Sequence, residues 1–233
     1  MIRQLPLGIQ LRSSASFRSF LTTPANEQAL SAVRQCAEGR GEPFVYLWGE
    51  PGTGKSHLLQ AACRAANTAG SSVVYIPLQQ RAAFSPEILS NLQTAGLVCL
   101  DDLQSIAGDA AWEQALFHLF NRLRDTRSQL LTSASCAPAS LSIELPDLSS
   151  RLGWGLCYHL HPLDDVGREQ MLMAGAETRG MQLPAESARY ILHRAPRDMA
   201  SLQALLEELD RASLAAQRPL TIPFIRSILD GKG

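Results

Sequence analysis

Eight consecutive residues, Gly49-Glu50-Pro51-Gly52-Thr53-Gly54-Lys55-Ser56, have the types and spacing of a loop that wraps phosphate. Its glycines let backbone N–H groups turn inward around phosphate oxygens, and a helix starting there points its positive N-terminal end at the same anion. Lys55 is placed to reach the outer phosphates and Ser56 to help hold Mg²⁺. The expected nucleotide-binding set is Gly49, Pro51, Gly52, Thr53, Gly54, Lys55, Ser56 and the following His57. A second chemical pair, Asp101-Asp102, follows the apolar run Leu97-Val98-Cys99-Leu100. A carboxylate at the C-terminal end of a strand is where such a loop's Mg²⁺ is held, which gives that role to Asp101.

The elements that must position these groups alternate along the chain. Short apolar strands are expected at 44–48, 73–76, 97–100, 129–133 and 156–160, with helices at 55–69, 86–93 and 110–124. A first helix follows the start signal Thr22-Thr23-Pro24, with Ala29, Leu30, Val33 and Cys36 on its apolar side. Strands apolar on both faces, alternating with amphipathic helices, imply an α/β fold: a five-stranded parallel sheet covered on both sides. After Pro162 the pattern becomes wholly helical, at 164–179, 184–193, 198–217 and 223–229. The expected organisation is a tail at 1–16, a nucleotide-binding α/β domain at 17–162 and a helical domain at 163–233.

Composition removes several alternatives. Lys+Arg total 21 against Asp+Glu 22, a formal net charge of -1, so the basic excess of a duplex-binding surface is missing. The 5 cysteines are scattered and never form a CxxC pair, which fits reduced thiols rather than disulfides or zinc. His159 and His161 alternate along a strand with no neighbouring carboxylate or cysteine to complete a metal set, so they read as strand residues. No apolar run reaches spanning length and no signal peptide is apparent, so a cytoplasmic protein is expected.

Together, the phosphate loop, the acidic pair, the parallel core and the helical lid resemble the AAA+ ATPases. Asp101-Asp102-Leu103-Gln104, Leu131-Thr132-Ser133 and the stretch 145–155 with Arg151-Leu152-Gly153-Trp154-Gly155 resemble the DnaA branch of that family. The resemblance implies that Arg151 is an arginine finger, offered in trans to a nucleotide bound by a neighbouring subunit. It also implies that Arg197, in Ala195-Pro196-Arg197-Asp198-Met199, is the lid arginine that touches nucleotide, and that Asn26 lies in the region closing over the base. Asp102 stands where related ATPases place a water-activating Glu; a shorter carboxylate implies slow unaided hydrolysis. Ser133 and Ser135 are the candidates for the sensor 1 position, where the family tends to have Asn or Asp.

The resemblance spans nearly the whole chain but only the ATPase portion of the initiator DnaA. Neither a helicase-interaction domain nor a helix-turn-helix domain is expected in it. Gln4-Leu5-Pro6-Leu7-Gly8-Ile9 resembles the short peptide that docks on the replicative sliding clamp (β subunit), with Gln4, Leu5, Leu7 and Ile9 as contacts. The implied function is negative regulation of replication initiation. A clamp-tethered protein would stimulate hydrolysis of DnaA-bound ATP while its own site holds an adenine nucleotide, ADP or ATP, with Mg²⁺. DNA is then met only through the clamp. Two alternatives stay open: a self-sufficient AAA+ helicase loader or DNA remodeller, and nucleotide-gated assembly as a homodimer.

Overall fold

Five short strands, β1 (Phe44–Trp48), β2 (Val73–Pro77), β3 (Leu97–Asp101), β4 (Gln129–Ala134) and β5 (Leu156–His159), pair in parallel in the order β2-β3-β4-β1-β5. The computed structural model describes residues 15–126 and 128–231, and the chain divides into two units between His161 and Pro162. The sequence expectations Gln4, Leu5, Leu7 and Ile9 lie outside the described residues.

The sheet's two faces sort its side chains by the two-residue strand period. Val45, Leu47, Leu97, Cys99 and Leu131 pack under α1 (Glu27–Ala37) and α2 (Lys55–Thr68). Tyr46, Val98, Leu100 and Leu130 face the opposite layer, with Trp112, Leu116, Phe120 and Leu123 of α3 (Ala110–Thr126) and Leu148 and Leu152 of α4 (Pro146–Leu152). Burial on both faces explains why these strands are continuous apolar runs.

One expected helix is absent. The stretch 86–93 forms two short 3-10 turns, Pro86–Leu89 and Leu92–Thr94, after a longer 3-10 segment at Leu78–Ala83. Ser90 is extended and Asn91 is left-handed at φ 63°, which interrupts helical hydrogen bonding between the two turns. Leu89 and Leu92, three residues apart, still reach the core.

The second unit contains α5 (Asp165–Glu177), α6 (Ala185–Arg194), α7 (Met199–Ala216) and α8 (Ile222–Asp230) around its own core of Leu172, Ile191, Leu202, Leu206, Leu209 and Ile225. Asp164 and Asp198 cap α5 and α7 by accepting bonds from the Gly167 and Ser201 amides. Among the described residues, no helix is long and apolar enough to cross a membrane.

Candidate nucleotide site

A parallel sheet gathers its functional loops at the C-terminal ends of its strands, and the phosphate loop leaves β1 at that edge. Gly54, at φ +96°, is the last residue before α2; a Cβ there would stand 2.7 Å from Phe20 Cε2. The left-handed backbone favours glycine here, and a side chain would also displace the Phe20 ring. Lys55, buried at the first helical position, donates to the carbonyls of Gly49 at 2.7 Å and Glu50 at 2.8 Å. Burial lowers its pKa from the ordinary lysine value, and the carboxylates of Asp102 and Asp101 oppose that shift.

Asp101, 2 % exposed, closes β3 with both carboxylate oxygens engaged. Tyr75 donates to Oδ2 at 2.6 Å and is itself held by Gln60 Nε2 at 3.1 Å, while Ser133 Oγ bonds Oδ1. The same Ser133 oxygen accepts the Asp102 amide at 2.9 Å. Tyr75 is thereby kept protonated, its pKa raised by burial and by the adjacent Asp101. Asp102 is left-handed at φ 64° and ψ 57°, and its Oδ1 accepts from Gln104 Nε2 at 2.9 Å. Gln104 Oε1 in turn accepts the Ser135 amide at 3.0 Å, fixing the carboxylate to the end of β4. Burial first, then the Asp101 charge, raises the Asp102 pKa above the usual value of 3.8, against the lowering effects of Gln104 and Lys55.

Lys55, Asp101, Asp102 and the end of β4 thus form one cluster. Of the two sensor 1 candidates, Ser133 is fully buried with its hydroxyl committed to Asp101 and Asp102, whereas Ser135 is exposed. The donor set suits Mg²⁺, which takes hard oxygen ligands and retains water: Ser56 offers a hydroxyl, and the Asp101 oxygens keep further lone pairs.

Other expected residues act on the segment beside the loop. His57 Nε2 lies 2.8 Å from the Ser16 carbonyl and 3.4 Å from Ser19 Oγ, holding 16–19 against α2. Asn26 Oδ1 accepts the Thr23 amide at 2.7 Å, and its Nδ2 donates to the Leu21 carbonyl at 3.0 Å. Its amide therefore shapes the turn leading into α1. In the second unit, Arg197 donates to the Leu192 carbonyl and pairs with Asp165 at 3.2 Å, leaving half its side chain exposed.

Arg151 stands apart. Its guanidinium carbon is 4.2 Å from the Phe117 ring centre and 5.3 Å from that of Trp154, a cation–π arrangement. It shares a cleft with Phe44, Phe120 and Gly155 beside the start of β1. A Cβ on Gly155 would stand 1.9 Å from the Phe44 carbonyl oxygen, so glycine permits this close approach. The phosphate loop begins beyond the other end of β1, roughly 15 Å away for a strand of this length.

Residues 11–159 match the family model of the bacterial DnaA ATPase domain, and residues 165–229 match the model of the lid domain of Hda. The chain belongs to the DnaA-related AAA+ proteins. Domain III of the replication initiation protein DnaA from Thermotoga maritima has the same fold, at TM-score 0.79 and 22% identity over 96% of this chain and 98% of that one. AMPPCP-bound DnaA from Aquifex aeolicus follows at 0.72 and 23% over 85% and 66%. Thermotoga maritima RuvB, a Holliday junction branch migration motor, reaches 0.69 at 15% over 93% and 71%. A DnaA-related replication regulator with a five-stranded AAA+ core and a helical lid is therefore the family-level assignment.

Proposed function

We propose that this DnaA-related protein acts on a nucleotide held by a neighbour, supplying Arg151 in trans to ATP bound by DnaA and so inactivating the initiator. The observation that carries this reading is the position of Arg151 beside the start of β1, at the opposite end of that strand from the chain's own phosphate loop. A cation so placed is out of reach of its own nucleotide and open to a second molecule's. The cation–π contacts with Phe117 and Trp154 orient it, and its charge offsets the charge that develops on the transferring phosphoryl group.

The chain's own site serves binding more than turnover. The phosphate loop, with Gly49, Pro51, Gly52, Thr53, Gly54, Lys55, Ser56 and His57, holds an adenine nucleotide, ADP by preference; Arg197 is proposed as a further nucleotide-binding residue. Ser56 and Asp101 would hold Mg²⁺, which would neutralise phosphate charge. Asp102 orients water through a short carboxylate tied to Gln104, an arrangement suited to slow hydrolysis. Ser135, exposed at the end of β4, takes the sensor 1 position. Gln4, Leu5, Leu7 and Ile9 tether the protein to the sliding clamp, so inactivation follows passage of the replication machinery, and DNA is engaged through the clamp.

The test is hydrolysis of DnaA-bound ATP in the presence of clamp-loaded DNA. Arg151→Ala should lose the stimulation, and stimulation equal to the unaltered protein would refute the finger. Alanine at Gln4 and Leu7 should abolish clamp capture, and unchanged capture would remove the tether. Fast ATP turnover by the isolated chain would favour a self-sufficient motor instead.

A further inference from the structure

Glu113 lies in the apolar stripe of α3, flanked by Trp112 and Leu116, and is 1 % exposed. A buried carboxylate is tolerated only where donors surround it. Three backbone amides do so here: Gly108 donates to Oε1 at 2.8 Å, Glu144 to both oxygens at 3.2 and 3.0 Å, and Leu145 to Oε2 at 2.8 Å. Leu145 immediately precedes α4, and its carbonyl accepts the amides of Leu148 and Ser149 in the first turn. The helix that carries Arg151 is therefore suspended from a residue whose amide is held by Glu113.

One turn further along α3 lies Phe117, the ring on which the Arg151 guanidinium rests. Residues four apart share a helix face, so α3 anchors the beginning of α4 and supports its functional end. With seven residues, α4 is about 10 Å long, and a shift at its start carries the arginine with it.

We infer that Glu113 is a positioning residue for Arg151, setting α4 on α3 so that the guanidinium is presented to a neighbour's phosphoryl group; the inference rests on the proposed role of Arg151. Misplacing a catalytic group by about 1 Å can cost on the order of a hundredfold in rate. Glu113→Gln keeps the side chain's size but turns one acceptor into an NH₂ group facing backbone amides. Its maximal rate of stimulated hydrolysis of DnaA-bound ATP should fall about tenfold or more. The concentration of the protein giving half-maximal stimulation should stay within about twofold, because binding surfaces are left in place. Hydrogen exchange in the isolated chain should accelerate at the Glu144 and Leu145 amides. Glu113→Asp retains both oxygens one methylene further back and should recover part of the rate; it also serves if the glutamine variant does not fold. In an Arg151→Ala background, Glu113→Gln should change the residual rate by less than about twofold.

Undiminished maximal rates in both Glu113 variants, with Arg151→Ala inactive, would overturn this inference alone. An equal fractional loss in the Arg151→Ala background would also overturn it, by showing a role independent of the arginine. Undiminished stimulation by Arg151→Ala would overturn the finger reading and this inference with it.

Discussion

Ser133→Ala tests the hydrogen-bond cluster around Asp101 through stability. The hydroxyl bonds a carboxylate that is 2 % exposed and accepts the Asp102 amide. Loss of a bond to a charged group costs about 1.5–3 kcal/mol, and leaving the partly buried Asp102 amide without its partner adds about 1 kcal/mol. Partial relaxation around the small vacated volume sets the net cost at about 3 kcal/mol. In a unit of this size that corresponds to a fall of about 6–12 °C in the unfolding midpoint. Tryptophan fluorescence is the appropriate assay: all 3 tryptophans, Trp48, Trp112 and Trp154, belong to the nucleotide-binding unit and report on it alone. Ser135→Ala, at an exposed position, should move the midpoint by no more than about 2 °C. Tyr75→Phe removes the other donor to the same carboxylate, so the double variant should deviate from additivity by about 1 kcal/mol or more. A Ser133→Ala midpoint within about 2 °C of the unaltered protein, or strict additivity with Tyr75→Phe, would show that these bonds do not hold Asp101 in place.

Two further outcomes follow from the same geometry. Burial and the Asp101 charge raise the Asp102 pKa above its unfolded value, so ionising Asp102 destabilises the fold as pH rises past the ordinary carboxylate range. Asp102→Asn, which tolerates the left-handed backbone and can still accept from Gln104, should melt above the unaltered protein at pH 7.5, with the difference shrinking towards pH 4.5. A lower midpoint at pH 7.5 would contradict this. Cys36, Cys63 and Cys99 are buried, and burial pushes the Cys36 thiol up to about 12. Partial burial also raises the Cys157 thiol, but that residue is exposed, so a thiol reagent at pH 8 should label Cys136 and Cys157 in the folded protein and the remaining three only after unfolding; a buried cysteine reacting as fast as Cys157 would show that the α1–α2 layer opens readily.

The apolar strands and the phosphate loop were legible because both are local patterns, carried by a two-residue period or by eight consecutive residues. The Asp101-Asp102 pair was legible for the same reason. Tyr75, Gln60 and Gln104 were not, because their partners come together only through the order β2-β3-β4. Glu113 did leave a trace: a carboxylate within the spacing of Trp112, Leu116 and Phe120 is misplaced unless something satisfies it, although nothing in the sequence names residues 108, 144 and 145 as the donors. The helix expected at 86–93 is replaced by 3-10 turns that still bury Leu89 and Leu92, with Asn91 making the break. The segment before α1 differed in another way, since Asn26 and His57 hold its turns through hydrogen bonds that composition does not encode.

On the proposed reading, the decisive chemistry occurs on a neighbour's nucleotide. The most direct test is single-turnover hydrolysis of ATP preloaded on DnaA, with clamp-loaded DNA and saturating unaltered protein, Arg151→Ala or Asp102→Asn. Arg151→Ala should lose stimulation on the order of a hundredfold or more, and Asp102→Asn should stay within about twofold of the unaltered protein. Full stimulation by Arg151→Ala together with loss in Asp102→Asn would place the chemistry in the chain's own site instead.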